Sequence, residues 1–316
     1  DASAFEEEMI PNTWIWGDMG NYFGSGASGL NYKDNLYTVY FNTGAQGDTA
    51  RIHKIDPQIP HLKIRNDVRA GGYSDNAIIY GAPYEYNRYV TGTIPANRNN
   101  YDVEGSMPDP AWFCAYSLDS AMRKTGISIS EKPTTIRQIK NSKKQEPAQR
   151  KTLYSHFSPP LSQIIYWTNK KSINLFAECL LKTITLKHNR AGTEKAGAIA
   201  VKGFWETKGV DVKGLYLNDG CGLSRWNSVS AKQLSEMLRV ITKESWFLSF
   251  YNSLPDEGSN AVAKGGYITR VRSYAGYVKN KNGDWISFSI IANNYDCQAS
   301  EMKDKLKKII AIISEL

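Results

Sequence analysis

Over the first hundred residues, apolar and polar positions alternate in short runs. Asn35 to Phe41 (NLYTVYF), His61 to Ile64 and Ala77 to Tyr80 read as strands, because residues two apart share one face of a pleated sheet. Gly81-Ala82-Pro83 and Pro95 to Asn100 punctuate this region. Met107-Pro108-Asp109-Pro110 marks a boundary, since successive prolines deny the chain both a continuing helix and a central strand. The pattern beyond it is helical. Trp112, Ala115, Leu118, Ala121 and Met122 recur at three- and four-residue steps, with Gly126 placed to end the helix in a left-handed cap. Ser158-Pro159-Pro160 reads as a helix start, with Leu161, Ile164, Ile165 and Tyr166 as the apolar face. Ser172 is placed to cap the next helix, whose Leu175, Phe176, Cys179, Leu180 and Thr183 share one side. Val212 to Leu217 reads as a short strand, and Ser230 with Gln233 as a capping box for a helix bearing Leu234, Met237, Leu238 and Ile241. Val271 to Val278 and Trp285 to Ala292 form a hairpin around Asn282-Gly283. A last helix carries Leu306, Ile309, Ile310 and Ile313. The expected organisation is a β-rich region, 1–107, and an α+β domain, 108–316, in which helices cover an antiparallel sheet.

The chain has 316 residues, 41% hydrophobic and 22% charged, which excludes fully disordered, collagen-like and membrane-bundle classes. No run approaches the roughly 18 apolar residues of a membrane span, and the acidic start, DASAFEEEMIPNTW, has no apolar signal core. The net charge of +8 invites an anionic partner. Its densest run, Arg137 to Lys151 with Pro147 inside it, reads instead as a solvated linker, and with no RNA-binding aromatic signature a nucleic-acid partner is not expected. Cys114, Cys179, Cys221 and Cys297 are too widely spread for a disulfide framework or a zinc site, so they decide neither compartment nor metal.

Three segments carry candidate chemistry. Ser172-Ile173-Asn174 puts a hydroxyl and a carboxamide at one helix end, though a plain helix cap explains it as well. Lys264-Gly265-Gly266, read as lying just before a strand from Tyr267, offers one ammonium beside backbone that a ligand can approach, or else a simple turn. Asp219 to Arg225 (DGCGLSR) is a Gly-rich turn that an Asp219–Arg225 pair would lock.

In order and with their surroundings, these segments resemble the D-alanyl-D-alanine carboxypeptidases of the class C, low-molecular-mass penicillin-binding type, peptidase family S13. The resemblance is carried by SPPLSQIIYWTNKKSINLFAECLLKTI at 158–184, NDGCGLSRWN at 218–227, AKGGYITRVRSYAGYV at 263–278, and DASAF and WIWGDMGNYF near the start. It implies a β-lactamase/transpeptidase-like fold with β-rich domains inserted between the first two of three motifs. By the same resemblance Ser172 relays protons toward the leaving group, Asn174 orients side chains and substrate, and Lys264 holds positive charge beside the substrate carboxylate. Gly265, Gly266 and Tyr267 would line the peptide, the Tyr267 N–H contributing to an oxyanion hole. Arg225, Asp18, Phe23 and Thr269 correspond to contacts with the third stem-peptide residue. No metal or organic cofactor is implied.

The implied activity is acyl transfer on D-Ala-D-Ala stem peptides of peptidoglycan outside the cytoplasm, in the periplasm or an equivalent space, with β-lactams acylating the same serine and a peripheral membrane association open. That serine belongs to a Ser-x-x-Lys motif expected upstream of DASAF, so the present chain alone is expected to be inactive. The one Ser-x-x-Lys it contains, Ser300 to Lys303, reads as a helix start. Gly265 stands where the third motif normally has a hydroxyl, Cys221 where the family generally has serine, and the 254–264 link is short. Two other readings stay open: a homologue that binds peptidoglycan without cleaving it, and an aromatic-rich carbohydrate- or surface-binding module suggested by 19 Tyr and 8 Trp, tested first at Trp14 and Trp16.

Overall fold

The computed structural model describes residues 1–142, 151–186 and 191–316. Along the chain run α1 (Trp16–Met19), β1 (Leu36–Asn42), β2 (Arg51–Asp56), β3 (Lys63–Ala70), β4 (Ile78–Tyr80), β5 (Asn87–Ile94), β6 (Tyr101–Ser106), α2 (Pro110–Lys124) and α3 (Ile136–Asn141). There follow α4 (Leu161–Lys171), α5 (Asn174–Thr183), α6 (Glu194–Thr207), α7 (Ala231–Ile241), α8 (Phe247–Ser253), β7 (Asp256–Gly258), β8 (Ala261–Ile268), β9 (Val271–Lys279), β10 (Trp285–Asn293) and α9 (Ala299–Ser314). The chain forms two compact units, one of Asp1–Tyr154, Asn174–Gly197 and Asp219–Arg225, the other of Ser155–Ile173, Ala198–Asn218 and Trp226–Leu316.

The first unit holds two three-stranded sheets, β2-β1-β6 and β3-β5-β4. β1 shows the alternation read from sequence, with Tyr37, Val39 and Phe41 buried. They share one core with Val68, Ile79, Val90, Ile94 and Val103 from the other strands. Burying each such side chain contributes about 1.5–3 kcal/mol. β3 and β5 run parallel, a pairing that alternation alone does not specify. Met107 and Phe113 lie in this same core, with Trp112 and Tyr116 packed against it. The chain therefore passes through the 107/108 position without leaving the unit, and the prolines there serve a different purpose. Pro110 opens α2, whose N-cap Asp109 accepts the Trp112 N–H at 2.9 Å and pairs with Arg137 at 2.7 Å. Gly126, at φ 85°, follows the helix end as expected. The basic run starts as helix α3, capped by Thr135 and Gln138; Pro147 lies outside the described residues.

In the second unit the antiparallel sheet β10-β9-β8-β7 is covered on both faces. Ala263, Tyr274, Val278 and Phe288 meet Leu306 and Ile310 of α9, while Tyr277 on the opposite face meets Leu238 and Ile241 of α7 and Leu254. The Ser230–Gln233 capping box and the Gly283 turn, at φ 85°, form as read from sequence. Four expectations need correction. Val212 to Leu217 is not a strand: only Tyr216 makes an isolated bridge, to Ser228, because Val212 and Leu215 are consumed by a turn packing on Met237. Ser158 does not cap α4, whose N-cap is Pro160 with no side-chain bond, and Leu161 and Tyr166 are exposed. Ile309 is exposed too, the buried stripe of α9 running through Leu306 and Ile310. Lys264 and the two glycines after it sit inside β8, not before it.

Candidate active site

In the second unit, helix α4 stops at Ser172, which adopts the left-handed conformation (φ 55°, ψ 47°), and the N–H of Ser172 and of Ile173 both return to Thr168 O. A residue with a Cβ pays about 1–2 kcal/mol for that conformation. Its hydroxyl is not a helix cap, as the sequence had allowed; it accepts a hydrogen bond from Lys264 Nζ at 2.8 Å. The helix end is held in place from the other side. Asn169 donates to Ser253 Oγ at 2.7 Å, Lys170 donates to Leu254 O, and the adjoining Pro255 O accepts the Ala263 N–H of β8 at 2.9 Å. The strand bearing Lys264 and the helix bearing Ser172 are thereby tied to one short segment, 253–255.

Lys264 Nζ also donates to Gly265 O at 2.8 Å. Burial pushes the Lys264 pKa below the ordinary lysine value, with Glu257 opposing the shift. Gly265 leaves room beside the ammonium but not much: a Cβ there would stand 3.1 Å from Tyr274 Cε1. The backbone of β8 supplies the other half of the site. Lys279 N–H bonds to Asn260 O and Ala263 N–H to Pro255 O. In the alternation of an antiparallel ladder, Val262, Lys264, Gly266 and Ile268 therefore turn their polar groups toward β9, and Ala263, Gly265 and Tyr267 turn theirs away. On that side β7 pairs only with Ala261 and Val262. The Gly265 and Tyr267 backbone thus faces a sheet edge with no strand partner among the described residues, where an extended peptide can pair. Thr269 occupies the exposed turn between β8 and β9, roughly 15 Å along the strand from Lys264. It is not brought to the Ser172–Lys264 pair.

The first unit holds the remaining candidates. Asn174 opens α5 and its Nδ2 donates to Phe23 O at 2.8 Å, so Phe23 enters through its backbone. Arg225 does not pair with Asp219. It pairs with Asp18 at 3.0 Å and bonds Leu223 O, because Asp219 is occupied otherwise: it accepts Trp14 Nε1 at 2.9 Å and the N–H groups of Gly222 and Ser224. Trp14, 4% exposed, is thus a structural residue and no surface contact.

Glu178, one helical turn beyond Asn174, was missed in the sequence. The buried face of α5 runs through Leu175, Glu178, Leu181 and Lys182, while Thr183, expected on it, is exposed. Glu178 Oε1 accepts the N–H groups of Gly220 and Cys221 at 2.8 and 2.7 Å, clamping the turn that ends in Arg225. Burial first, then the nearby Asp219 charge, pushes the Glu178 carboxyl up to about 7. Lys182, fully buried, forms an ion pair with Glu194 at 2.8 Å and donates to Glu8 O. An acid and a base four apart inside an apolar run was the available signal. Glu178, Asp219 and Cys221 could in principle gather around a cation, all within 4.8 Å. Their oxygens are largely engaged by N–H groups, and burial and the neighbouring carboxylates push the Cys221 thiol up, opposing the thiolate a metal requires.

A model of the D-Ala-D-Ala carboxypeptidase 3 (S13) family matches residues 1–316. The chain belongs to that family. It is 24% identical over 339 residues to the D-alanyl-D-alanine carboxypeptidase DacB of Haemophilus influenzae, covering 98% of this chain and 67% of the relative. It is 25% identical over 324 residues to the D-alanyl-D-alanine carboxypeptidase of Actinomadura sp. (strain R39), covering 93% of this chain and 59% of that one. The chain thus spans about three fifths to two thirds of the length of these relatives. The crystal structure of penicillin binding protein 4 (dacB) from Haemophilus influenzae superposes with a TM-score of 0.81 at 21% identity, over 100% of this chain and 74% of that one. The same protein complexed with a novel β-lactam gives a TM-score of 0.73 at 21% identity, over 92% of this chain and 70% of that one. The fold is therefore the mixed α/β, transpeptidase-like fold with additional β-rich structure that the motifs implied. Among the described residues no helix is long and apolar enough to cross a membrane.

Proposed function

We propose that these residues form most of a cell-wall serine D,D-carboxypeptidase and endopeptidase, acting outside the cytoplasm on D-Ala-D-Ala stem peptides and open to acylation by β-lactams. The observation that carries this reading is the Lys264 ammonium held 2.8 Å from Ser172 Oγ beside the unpaired edge of β8. A stem peptide adds to that edge as an extended strand, pairing with Gly265 C=O and Tyr267 N–H. The Tyr267 N–H points where negative charge develops on the scissile carbonyl oxygen, so it stabilises the tetrahedral intermediate more than the ground state. Lys264 neutralises the substrate carboxylate, and Ser172, hydrogen-bonded to it, passes a proton to the departing amine of D-alanine. Asn174 follows two residues later in the chain and orients the bound peptide. Asp18, Arg225, Phe23 and Thr269 remain candidates for contacts with the third stem residue, the first two as a preformed ion pair.

The attacking serine is assigned to a Ser-x-x-Lys motif of the longer protein. Ser300 and Lys303 are both exposed at the start of α9 and are not that pair. One observation favours a second reading, a homologue that binds peptidoglycan without cleaving it: Gly265 supplies no hydroxyl for the substrate carboxylate. Labelling of the full-length protein with a fluorescent penicillin, together with D-alanine release from a pentapeptide, decides between them. A covalent band and release that both collapse in Lys264→Ala support the enzyme; neither band nor release, with peptide binding intact, establishes the non-catalytic homologue.

A further inference from the structure

Residues 17–25 lie against an outer strand of each sheet in the first unit, β4 of one and β6 of the other. Two buried side chains hold them there. Asn21 donates through Nδ2 to Gly17 O at 2.7 Å and accepts the Ile79 N–H of β4 on Oδ1 at 2.9 Å. Its carboxamide thus stands in for a neighbouring strand at an edge that has none among the described residues. From β6, Ser106 donates its hydroxyl to Met19 O at 2.6 Å and its N–H to Gly20 O at 2.9 Å. Gly20 approaches β4 so closely that a Cβ there would collide with Ile79 O. The segment is therefore fixed to the β-rich core from two strands at once, through side chains and through backbone.

The same segment carries two groups that meet candidate site residues. Phe23 O accepts Asn174 Nδ2 at 2.8 Å, and Asp18 pairs with Arg225 at 3.0 Å. Asn21 stands between Asp18 and Phe23 in the chain. A carbonyl oxygen only accepts, so Phe23 O turns the nitrogen of the Asn174 carboxamide toward itself and leaves Oδ1 and the second N–H for a ligand. The backbone of an extended peptide offers a donor and an acceptor to match. Were the segment to slip, the amide would be free to turn over, and donor and acceptor would exchange places. We infer that Asn21 and Ser106 are positioning residues: by fixing residues 17–25 on the β-rich core, they set the orientation of the Asn174 carboxamide and the place of the Asp18 carboxylate. The inference rests on the role proposed for Asn174 in orienting the bound peptide; neither positioning residue touches substrate.

One arm of the test needs no turnover. In NMR spectra of the full chain, the side-chain amide signal of Asn174, assigned by its loss in Asn174→Asp, reports how the carboxamide is held. Asn21→Ala and Ser106→Ala are each expected to shift this signal and to speed its exchange with solvent. Val68→Ala, a buried change on β3 two strands from Ile79, costs stability and is expected to leave the signal in place. The second arm measures acylation of the full-length protein by a fluorescent penicillin. The acylation rate constant is expected to fall roughly 10- to 100-fold in Asn21→Ala and less in Ser106→Ala, with the affinity of the preceding complex changed less than the rate. Val68→Ala, compared through its urea midpoint, is expected to acylate at close to the wild-type rate. Ser106→Ala, which removes a single hydroxyl, carries both arms should Asn21→Ala not fold. If the wild-type protein takes up no penicillin, the peptidase reading falls and the Asn174 signal alone decides the positioning. An Asn174 signal unmoved in the folded variants, or acylation lost equally in Val68→Ala, would overturn the assignment.

Discussion

Glu178 is a carboxyl with no solvent exposure, held between Asp219 and the 219–225 turn, and its replacement by glutamine separates two roles that coincide in the native side chain. As an acceptor, Glu178 Oε1 satisfies two backbone N–H groups, those of Gly220 and Cys221. As a charge, it is penalised by burial and by Asp219, which raise it from 4.5 to about 7. The unfolded chain releases this proton near 4.5 and the folded chain near 7, so between those values the native state binds more protons and stability falls as pH rises. The loss is absent below about pH 4.5 and complete above about 7, where two and a half units amount to about 3 kcal/mol. Glu178→Gln keeps the acceptor, removes the charge, and puts an amide donor in place of Oε2, which has no hydrogen-bond partner.

The glutamine variant should therefore be more stable than wild type by up to about 3 kcal/mol at pH 8 and by no more than about 1 kcal/mol at pH 5. Glu6, also raised to about 7, titrates in both proteins and cancels in the comparison. Glu178→Ala provides the contrast. It removes the acceptor as well and leaves the two part-buried N–H groups of Gly220 and Cys221 without it, which should destabilise at either pH by about 1–3 kcal/mol in all. Urea midpoints at pH 5 and pH 8, with unchanged m-values, measure all three proteins. A glutamine variant less stable than wild type at pH 8, or stabilised equally at both pH values, would show that burial of the charge is not what raises this carboxyl.

Four further outcomes concern the Ser172–Lys264 pair and its neighbour Gly265. Lys264→Ala in the full-length protein should lower D-alanine release at least about 100-fold, the scale of removing a charge from a preorganised site. Because burial lowers the Lys264 pKa, the ammonium is lost as pH rises at a value below that of an ordinary lysine, and the alkaline limb of kcat/KM should fall there and vanish in Lys264→Arg. Ser172→Gly retains the left-handed conformation while deleting the hydroxyl, so thermal stability should stay within about 1 kcal/mol of wild type as turnover drops; a parallel loss of both would make Ser172 structural. Gly265→Thr restores a hydroxyl beside the substrate carboxylate and should lower KM about tenfold or more, from a charge-assisted hydrogen bond of roughly 1.5–3 kcal/mol, provided Tyr274 yields the few tenths of an ångström its 3.1 Å approach demands.

What the sequence revealed and what it hid divide along a physical line. β1, the Ser230–Gln233 capping box, the Asn282-Gly283 hairpin and α9 follow from neighbours within one turn or one alternation, and those interactions are present before any tertiary structure exists. Motif spacing placed Ser172, Asn174 and Lys264 as candidates, and the structure joins the first and third by a hydrogen bond spanning 92 residues. The errors lie where distant packing decides. Val212 to Leu217 has strand composition but no partner strand to receive it, and becomes a turn around Met237. Asp219 and Arg225 look like a pair because they are close in sequence; Trp14, 205 residues away, takes the first, and Asp18, 207 residues away, takes the second.

The same division explains why the supporting groups of the site were harder to find than the candidates themselves. A residue that meets substrate must project from an edge or a helix end, and such positions are marked by glycines, caps and motif spacing. A residue that positions it lies inside, where its burial depends on what packs above it. Glu178 and Lys182 occupy positions that periodicity assigns to the core, and periodicity alone would fill them with leucine. A charge is tolerated there only because partners arrive from far along the chain: Gly220 and Cys221 for the one, Glu194 and Glu8 for the other. Charged residues at core positions of α5 therefore mark the points where distant segments are locked to the helix that begins with Asn174, and the local energy they give up fixes the geometry of the residues at its end.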